Sequence, residues 1–329
     1  MECVGSQFAN QKAMVCAAVI LLVASATQAT AADEIYWAQS FGDRIYRSDL
    51  GGDNAELLLE FPELNDPTAI AVDPIRGKIY WAQSFENRIY RADLNGDNAQ
   101  LLLEFPEVNG PVAIAVDPIT GMIFWAQTFG DRIYRADMNG DGAVLLLEFP
   151  ELNDPVGIAV DPSGGRLYWA QNFGNSIHRS DLNGDNAELL LEFPEVVDPV
   201  AIAVDSSGKL YWAQTFGDRI YRADLNGDNA ELLLEFPKLN DPVGISIDPL
   251  GGRLYWAQSF GDRIYRADLN GNNAELLLEF PELTDAVGLA ILPTGSAVIP
   301  TISFHGLIVM TLCVFVIATN VYRRLPLRG

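Results

Sequence analysis

The sequence is poor in cysteine and histidine, and each shortage removes a class of site. Its three cysteines are Cys3, Cys16 and Cys313, so residues 32 to 298 contain none. This central stretch therefore has no disulfides, no cysteine nucleophile and no thiolate zinc site. Its only histidine is His178, which also excludes a metal site built from several histidines.

Basic residues are scarce as well. The chain has 21 Lys and Arg against 44 Asp and Glu, for a net charge of −23 at pH 7. Such a field repels phosphate backbones and anionic lipid, so nucleic acid is not expected as a partner. A composition of 49% hydrophobic and 20% charged residues is typical of a folded globular protein.

The N-terminus has the pattern of an export signal. An apolar run spans residues 13 to 26, and Ala29 and Ala31 then supply a small-residue cleavage site. We predict that residues 1–31 are a signal peptide and that the protein is exported. An uncleaved N-terminal anchor is the alternative.

The C-terminus, residues 296–329, combines an apolar run with a basic tail. The run from 307 to 322 directly precedes Arg323 and Arg324, which predicts one transmembrane helix with its C-terminus in the cytoplasm. The body then lies outside, as a single-pass protein.

A short motif precedes that helix and resembles the IPTL-type sorting signal of bacterial envelope proteins. Its residues are Ile299, Pro300, Thr301, Ile302, Ser303 and Gly306. The resemblance implies an exosortase-like processing enzyme as a partner, membrane attachment through the helix before processing, and a location in the cell envelope or at the surface. An ordinary C-terminal anchor is the alternative.

Six internal repeats occupy the stretch between the predicted signal peptide and the C-terminal segment. The six tryptophans recur every 43 or 44 residues, which is typical of propeller blades. They are Trp37, Trp81, Trp125, Trp169, Trp212 and Trp256.

Each repeat holds four β-prone runs separated by turn residues. In the second repeat we predict strand A over Pro67–Pro74, B over Lys78–Gln83, C over Asn87–Leu94 and D over Ala99–Phe105. The A run is apolar on both faces, as expected of an innermost strand.

The two ends of the repeat region fit together. The first repeat starts with a B strand at Ile35, whereas an orphan A strand, Val287–Leu292, follows the sixth repeat. The sequence thus predicts an all-β, six-bladed propeller of four-stranded antiparallel blades over residues 32–295, with the C-terminal strand completing the first blade. A linear β-solenoid is the alternative.

The second repeat, AIAVDPIRGKIYWAQSFENRIYRADLNGDNAQLLL, is similar to the YWTD, or low-density lipoprotein receptor class B, repeat. The resemblance extends over residues 35 to 292 and implies a six-bladed propeller. The Thr-Asp pair of that family is Ala-Gln in every copy here.

The repeated turn DLNGDNAE, as in Asp181–Glu188, alternates acids and amides. Gly184 is fourth rather than sixth, which does not fit an EF-hand loop, so we expect a C–D hairpin turn without metal or cofactor. Calcium binding is the alternative.

Two other repeated features have structural interpretations. Arg44 and Arg47 with Asp49 are expected to form a paired ladder, with substrate binding as the alternative. His178 stands where the other repeats have tyrosine, and we interpret it as a packing variant.

Because every blade offers nearly the same side chains, we expect no active site and no enzyme activity. We predict a binding protein that recognises a macromolecule or glycan through the face of the B–C and D–A loops. A lyase- or lactonase-type propeller enzyme and a structural matrix component are the alternatives. The phenylalanines of these loops have a second interpretation, as wedges between blades. The candidate ligand-binding residues are Phe41, Asp43, Glu63, Asp66, Phe129, Asp131, Phe216, Asp218, Phe260 and Asp262.

Overall fold

A computed structural model gives the fold. It describes residues 33–40, 42–60, 66–104, 110–128, 130–148, 154–192, 198–215, 217–235, 242–248, 250–259, 263–279 and 286–293. The predicted signal peptide, with Ala29 and Ala31, and the predicted sorting motif and C-terminal helix lie outside these residues. Within them we find no helix that is long and apolar enough to cross a membrane.

The described residues form 24 strands in six four-stranded sheets. Blade 1 contains β24 (Ala286–Leu292), β1 (Glu34–Gln39), β2 (Arg44–Asp49) and β3 (Glu56–Glu60). Blade 2 contains β4 (Pro67–Asp73), β5 (Lys78–Gln83), β6 (Arg88–Asp93) and β7 (Gln100–Glu104). Blade 3 contains β8 (Pro111–Asp117), β9 (Met122–Gln127), β10 (Arg132–Asp137) and β11 (Val144–Glu148).

The other three blades repeat this order from strand A to strand D. Blade 4 contains β12 (Pro155–Asp161), β13 (Arg166–Gln171), β14 (Ser176–Asp181) and β15 (Glu188–Glu192). Blade 5 contains β16 (Pro199–Val204), β17 (Lys209–Gln214), β18 (Arg219–Asp224) and β19 (Glu231–Glu235). Blade 6 contains β20 (Pro242–Asp248), β21 (Arg253–Gln258), β22 (Arg263–Asp268) and β23 (Glu275–Glu279).

In each blade the A and B strands are mostly buried, whereas the D strand is mostly exposed. In β4 six of seven residues are buried, whereas in β7 only Leu103 is buried. The pattern follows from the sequence, since the A and B runs are apolar on both faces and the D run is bounded by polar residues. The predicted all-β six-bladed propeller is confirmed, and the four strand ranges predicted for blade 2 agree within one residue.

The last strand closes the ring. Strand β24 pairs antiparallel with β1, and Leu292 lies opposite Glu34 while Leu289 lies opposite Trp37. The linear solenoid alternative is therefore wrong. Both ends of the propeller chain leave blade 1 on the side of the A–B and C–D turns, which we call the lower face; the B–C and D–A loops form the upper face.

Six apolar cores hold neighbouring blades together, one at each interface. The core between blades 6 and 1 contains Trp37, Tyr255, Leu278 and Leu289, so the closing interface matches the others. Each Trp is fully buried and stacks on a ring of its own C strand, with centroids 5.4 to 5.5 Å apart. The stacked partners are Tyr46, Tyr90, Tyr134, His178, Tyr221 and Tyr265, so His178 packs as its tyrosine counterparts do.

An arginine of the C strand bonds across the blade interface in blades 2 to 6. Arg266 Nη1 donates to the carbonyl oxygen of Leu50 at 2.9 Å, which links blade 6 to blade 1. Within its own blade the Arg266 side chain pairs with Glu275. The predicted pairing of the arginines is thus confirmed, but their partners are D-strand glutamates and carbonyl groups rather than Asp49 or its copies.

Aspartate shapes both kinds of turn on the lower face. Buried Asp73 accepts hydrogen bonds from the backbone N–H groups of Ile75 and Arg76, which fixes the A–B turn. Blade 1 has no A–B turn because its A and B strands come from opposite ends of the chain, and Leu292 takes the place of this aspartate. In the C–D turn, Asp181 O accepts from Gly184 N–H at 2.9 Å, as expected of a hairpin.

The glycine of each C–D turn contacts the preceding blade. Gly140 has a φ of +85°, and an added Cβ would lie 2.8 Å from the carbonyl oxygen of Leu102. Gly142, in the same turn, has a φ of +65° and no heavy atom within 4 Å of its Cβ position.

We predict that Gly140→Ala destabilises the propeller more than Gly142→Ala. Both substitutions introduce left-handed strain of about 1–2 kcal/mol, and Gly140→Ala adds a backbone clash of roughly 1–3 kcal/mol. Denaturant unfolding followed by tryptophan fluorescence measures both changes. Equal losses would show that the turn does not pack against the neighbouring blade.

Candidate ligand-binding face

One repeated hydrogen bond joins neighbouring blades at the upper face. Asp43 Oδ1, in the B–C loop of blade 1, accepts a hydrogen bond from the backbone N–H of Asp66 at 2.9 Å. Asp66 directly precedes β4, so this bond fixes the start of the A strand of blade 2. Equivalent bonds of 2.8 to 3.1 Å join Asn87 to Gly110, Asp131 to Asp154 and Asn175 to Asp198.

Two of the predicted ligand-binding acids, Asp43 and Asp131, therefore have a structural role. Each has a φ of +51°, which Asp and Asn tolerate better than most residues. Blades 2 and 4 have Asn87 and Asn175 at this position, because the bond requires an acceptor oxygen but no charge. The sequence does not reveal this bond, since its partners lie 23 residues apart.

The acids at the start of the A strands are crowded. The Asp66 carboxylate accepts a hydrogen bond from Ser40 Oγ. Burial, and then the charge of Asp131, raise the pKa of Asp154. The predicted candidate Asp218 lies on the same face and is half-buried. This face thus favours a positively charged ligand group over a negative one.

Two phenylalanines project from the upper face. Phe85 is 80% exposed and Phe173 is 74% exposed. The interpretation of these side chains as wedges between blades is therefore wrong. Their counterparts Phe41, Phe129, Phe216 and Phe260, together with the candidates Glu63 and Asp262, lie outside the described residues.

A small cavity lies on the propeller axis and was not predicted from the sequence. It has a volume of about 110 Å³. Ligand pockets for drug-sized molecules are typically about 300–1,000 Å³, so this cavity holds only a small group. The second residue of every A strand lines it: Thr68, Val112, Val156, Val200, Val243 and Val287.

The glutamine at the end of each B strand places a buried amide beneath the upper face. The amide nitrogen and oxygen atoms of Gln83, Gln127 and Gln214 are buried and bond to no described residue. This glutamine belongs to the Ala-Gln pair in which the repeat differs from the YWTD pattern. The described residues also contain no group of three or more His, Cys, Asp or Glu side chains placed to hold a metal ion.

Comparisons with solved structures find the same propeller fold. A structure from a nidogen/laminin complex has a TM-score of 0.72 and 23% identity, covering 80% of this chain and 99% of that chain. Virginiamycin B lyase from Staphylococcus aureus has a TM-score of 0.58 and 20% identity, covering 75% and 81%.

The same S. aureus enzyme is also known as a catalytically inactive histidine-to-alanine variant with quinupristin. It matches with a TM-score of 0.60 and 21% identity, covering 78% of this chain and 84% of that chain. No curated protein matches the sequence. A sequence profile of the Virginiamycin B lyase family matches residues 23–297, which is most of the chain. The chain therefore belongs to the Virginiamycin B lyase family.

Proposed function

We propose that this propeller holds a macromolecular or glycan ligand on its upper face. The observation that carries the proposal is the exposure of Phe85 and Phe173 there. An exposed aromatic ring leaves apolar surface in water, and burying it against a ligand is favourable. Aromatic rings beside carboxylates suit either the apolar face of a sugar or a basic peptide.

The chain ends support a role in display. Both ends of the propeller leave from the lower face of blade 1, so a tether attached to either end leaves the upper face open. The apolar and basic C-terminal sequence supports such a tether, with exosortase-like processing and a position in the cell envelope or at the surface.

A lyase-type enzyme is the second candidate, and family membership favours it more directly than it favours ligand binding alone. It also opposes the expectation that the chain is not an enzyme. The S. aureus lyase is inactive in a histidine-to-alanine variant. A related reaction here would need a histidine, or another group, near a bound substrate.

The geometry of His178 does not suit that role well. Its ring stacks on Trp169, and its Nε2 atom lies 3.0 Å from Ser176 Oγ. It belongs to β14, the third strand out from the axis of blade 4. The exposed phenylalanines therefore support ligand binding, whereas the stacked position of His178 does not support a role in catalysis.

We predict that the double substitution Phe85→Ala and Phe173→Ala weakens ligand binding by about tenfold, because two exposed rings lose contacts worth roughly 0.5–1.5 kcal/mol each. A glycan and peptide array probed with the full chain identifies the ligand, and titration measures its affinity. Ile75→Ala with Ile119→Ala is the matched control, since both side chains are more than half exposed on the lower face. Unchanged affinity in the phenylalanine variant, or loss only in the control, would contradict the proposal.

The second candidate has its own test, in which quinupristin is incubated with the full chain, with and without added divalent cations. The binding proposal predicts that chromatography recovers the compound intact. Consumption at a rate proportional to protein concentration would instead establish lyase-type activity, and its loss in His178→Tyr would assign the reaction to that ring.

A further inference from the structure

Five blades carry the same ion pair at the outer edge of the upper face. The first residue of strand C is an arginine whose Nε and Nη2 atoms both donate to one oxygen of the last glutamate of strand D. The Nη2 distances are 2.6 to 2.9 Å, and the side chains of these glutamates are about half exposed. The pairs are Arg44–Glu60, Arg88–Glu104, Arg132–Glu148, Arg219–Glu235 and Arg263–Glu279.

Blade 4 keeps the glutamate and lacks the arginine. Ser176 lies opposite Glu192 in the strand register, where the other blades pair arginine with glutamate. The Ser176 hydroxyl is within hydrogen-bonding distance of His178 Nε2, and no described residue forms a hydrogen bond or ion pair with Glu192. The five residues that follow, 193–197, contain no Lys or Arg.

No cation of blade 4 replaces the missing guanidinium. Burial lowers the pKa of His178, with the charge of Glu192 opposing this effect, so the imidazole is neutral at pH 7. The one arginine of β14, Arg179, pairs with Glu188 at 2.7 Å and bonds the carbonyl of Leu225 in blade 5. Among the described residues, none thus supplies a positive charge to the exposed carboxylate of Glu192, in a protein of net charge −23.

An exposed aromatic ring lies three residues before Ser176, the residue opposite this glutamate. Phe173 belongs to the B–C loop that leads into Ser176, and it is 74% exposed. A guanidinium is planar, donates two parallel hydrogen bonds to a carboxylate and also stacks on aromatic faces. The loop and the strand end thus present both groups that an arginine side chain uses.

We propose that Glu192 of blade 4 is the binding site for an arginine side chain of a peptide or protein partner. This inference rests on the proposed ligand face and names the chemistry of its ligand. The incoming guanidinium takes the place that the intrinsic arginine has in the other five blades. The other blades thus show how a guanidinium binds this glutamate, and blade 4 lacks the arginine that supplies it.

The test uses the full chain in detergent micelles, labelled in histidine, with acetyl-arginine-amide as the probe. His178 and His305 are the only histidines, and His305→Gln assigns their NMR signals. We expect saturable shifts of the His178 ring signals with a dissociation constant on the order of 10–100 mM, as an exposed ion pair of up to about 1 kcal/mol and an exposed aromatic contact of roughly 0.5–1 kcal/mol permit. The uncharged citrulline analogue should cause no shift.

Two substitutions separate this site from nonspecific attraction. Ser176→Arg restores the pair found in the other blades and should abolish the shifts without unfolding the protein, because five blades already accept arginine there. Glu192→Gln should weaken binding about fivefold or more. As a matched control, Glu235→Gln in blade 5 should leave the shifts unchanged, because Arg219 already occupies Glu235.

Arg219→Ser provides a gain-of-site test, since it removes the arginine partner of Glu235. In uniformly 15N-labelled protein this variant should add a second set of arginine-dependent amide shifts, centred on Glu235. Binding to Ser176→Arg as tight as to the wild type, or equal shifts with the citrulline analogue, would overturn the arginine site.

The ligand face and the arginine site can be contradicted independently of each other. A ligand from the array that needs Phe85 and Phe173 but is unaffected by Ser176→Arg leaves the ligand face standing and overturns the arginine site. Conversely, the NMR shifts could depend on Glu192 while the affinity for array ligands is unchanged in the phenylalanine variant. That result would support the arginine site and contradict the ligand face.

Discussion

The pairing of β24 with β1 is the constraint on which the rest of the structure depends. It makes all six blade interfaces equivalent, so that Arg266 reaches the Leu50 carbonyl and Gly52 packs against the Leu277 carbonyl as their counterparts do elsewhere. A ring closed in this way leaves no terminal blade with an uncovered apolar face. It also places both ends of the propeller, at Glu34 and Leu292, on the lower face, opposite the B–C and D–A loops.

Near-identical repeats make deviations informative. The apolar cores, the tryptophan stacks and the arginine bonds recur around the ring, so they account for the fold rather than for a particular activity. Blade 4 differs at Ser176 and His178, and the first of these changes leaves the Glu192 carboxylate without its arginine. Family membership brings a lyase into consideration, while the described side chains provide an acidic, partly aromatic surface.

The tryptophan spacing and the orphan strand at Val287–Leu292 were sufficient to predict the fold, because closure follows from counting strands. The site was less predictable. The partner of Asp43 is a backbone N–H group of the next blade, and no residue type reports such a bond. The exposure of Phe85 depends on how its loop lies against the neighbouring blade, so the sequence allowed both a wedge and an exposed ring. The axial cavity arises only when six second positions, each unremarkable in its own strand, meet around the axis.

Hydrogen exchange of the backbone amides in β1 and β24 tests ring closure most directly. Closure predicts that these amides are protected as strongly as those of β4 and β5, since the A–B pairing of blade 1 is equivalent to that of blade 2. Fast exchange confined to β24 and β1, with protection kept in the other blades, would show an open ring and contradict the account.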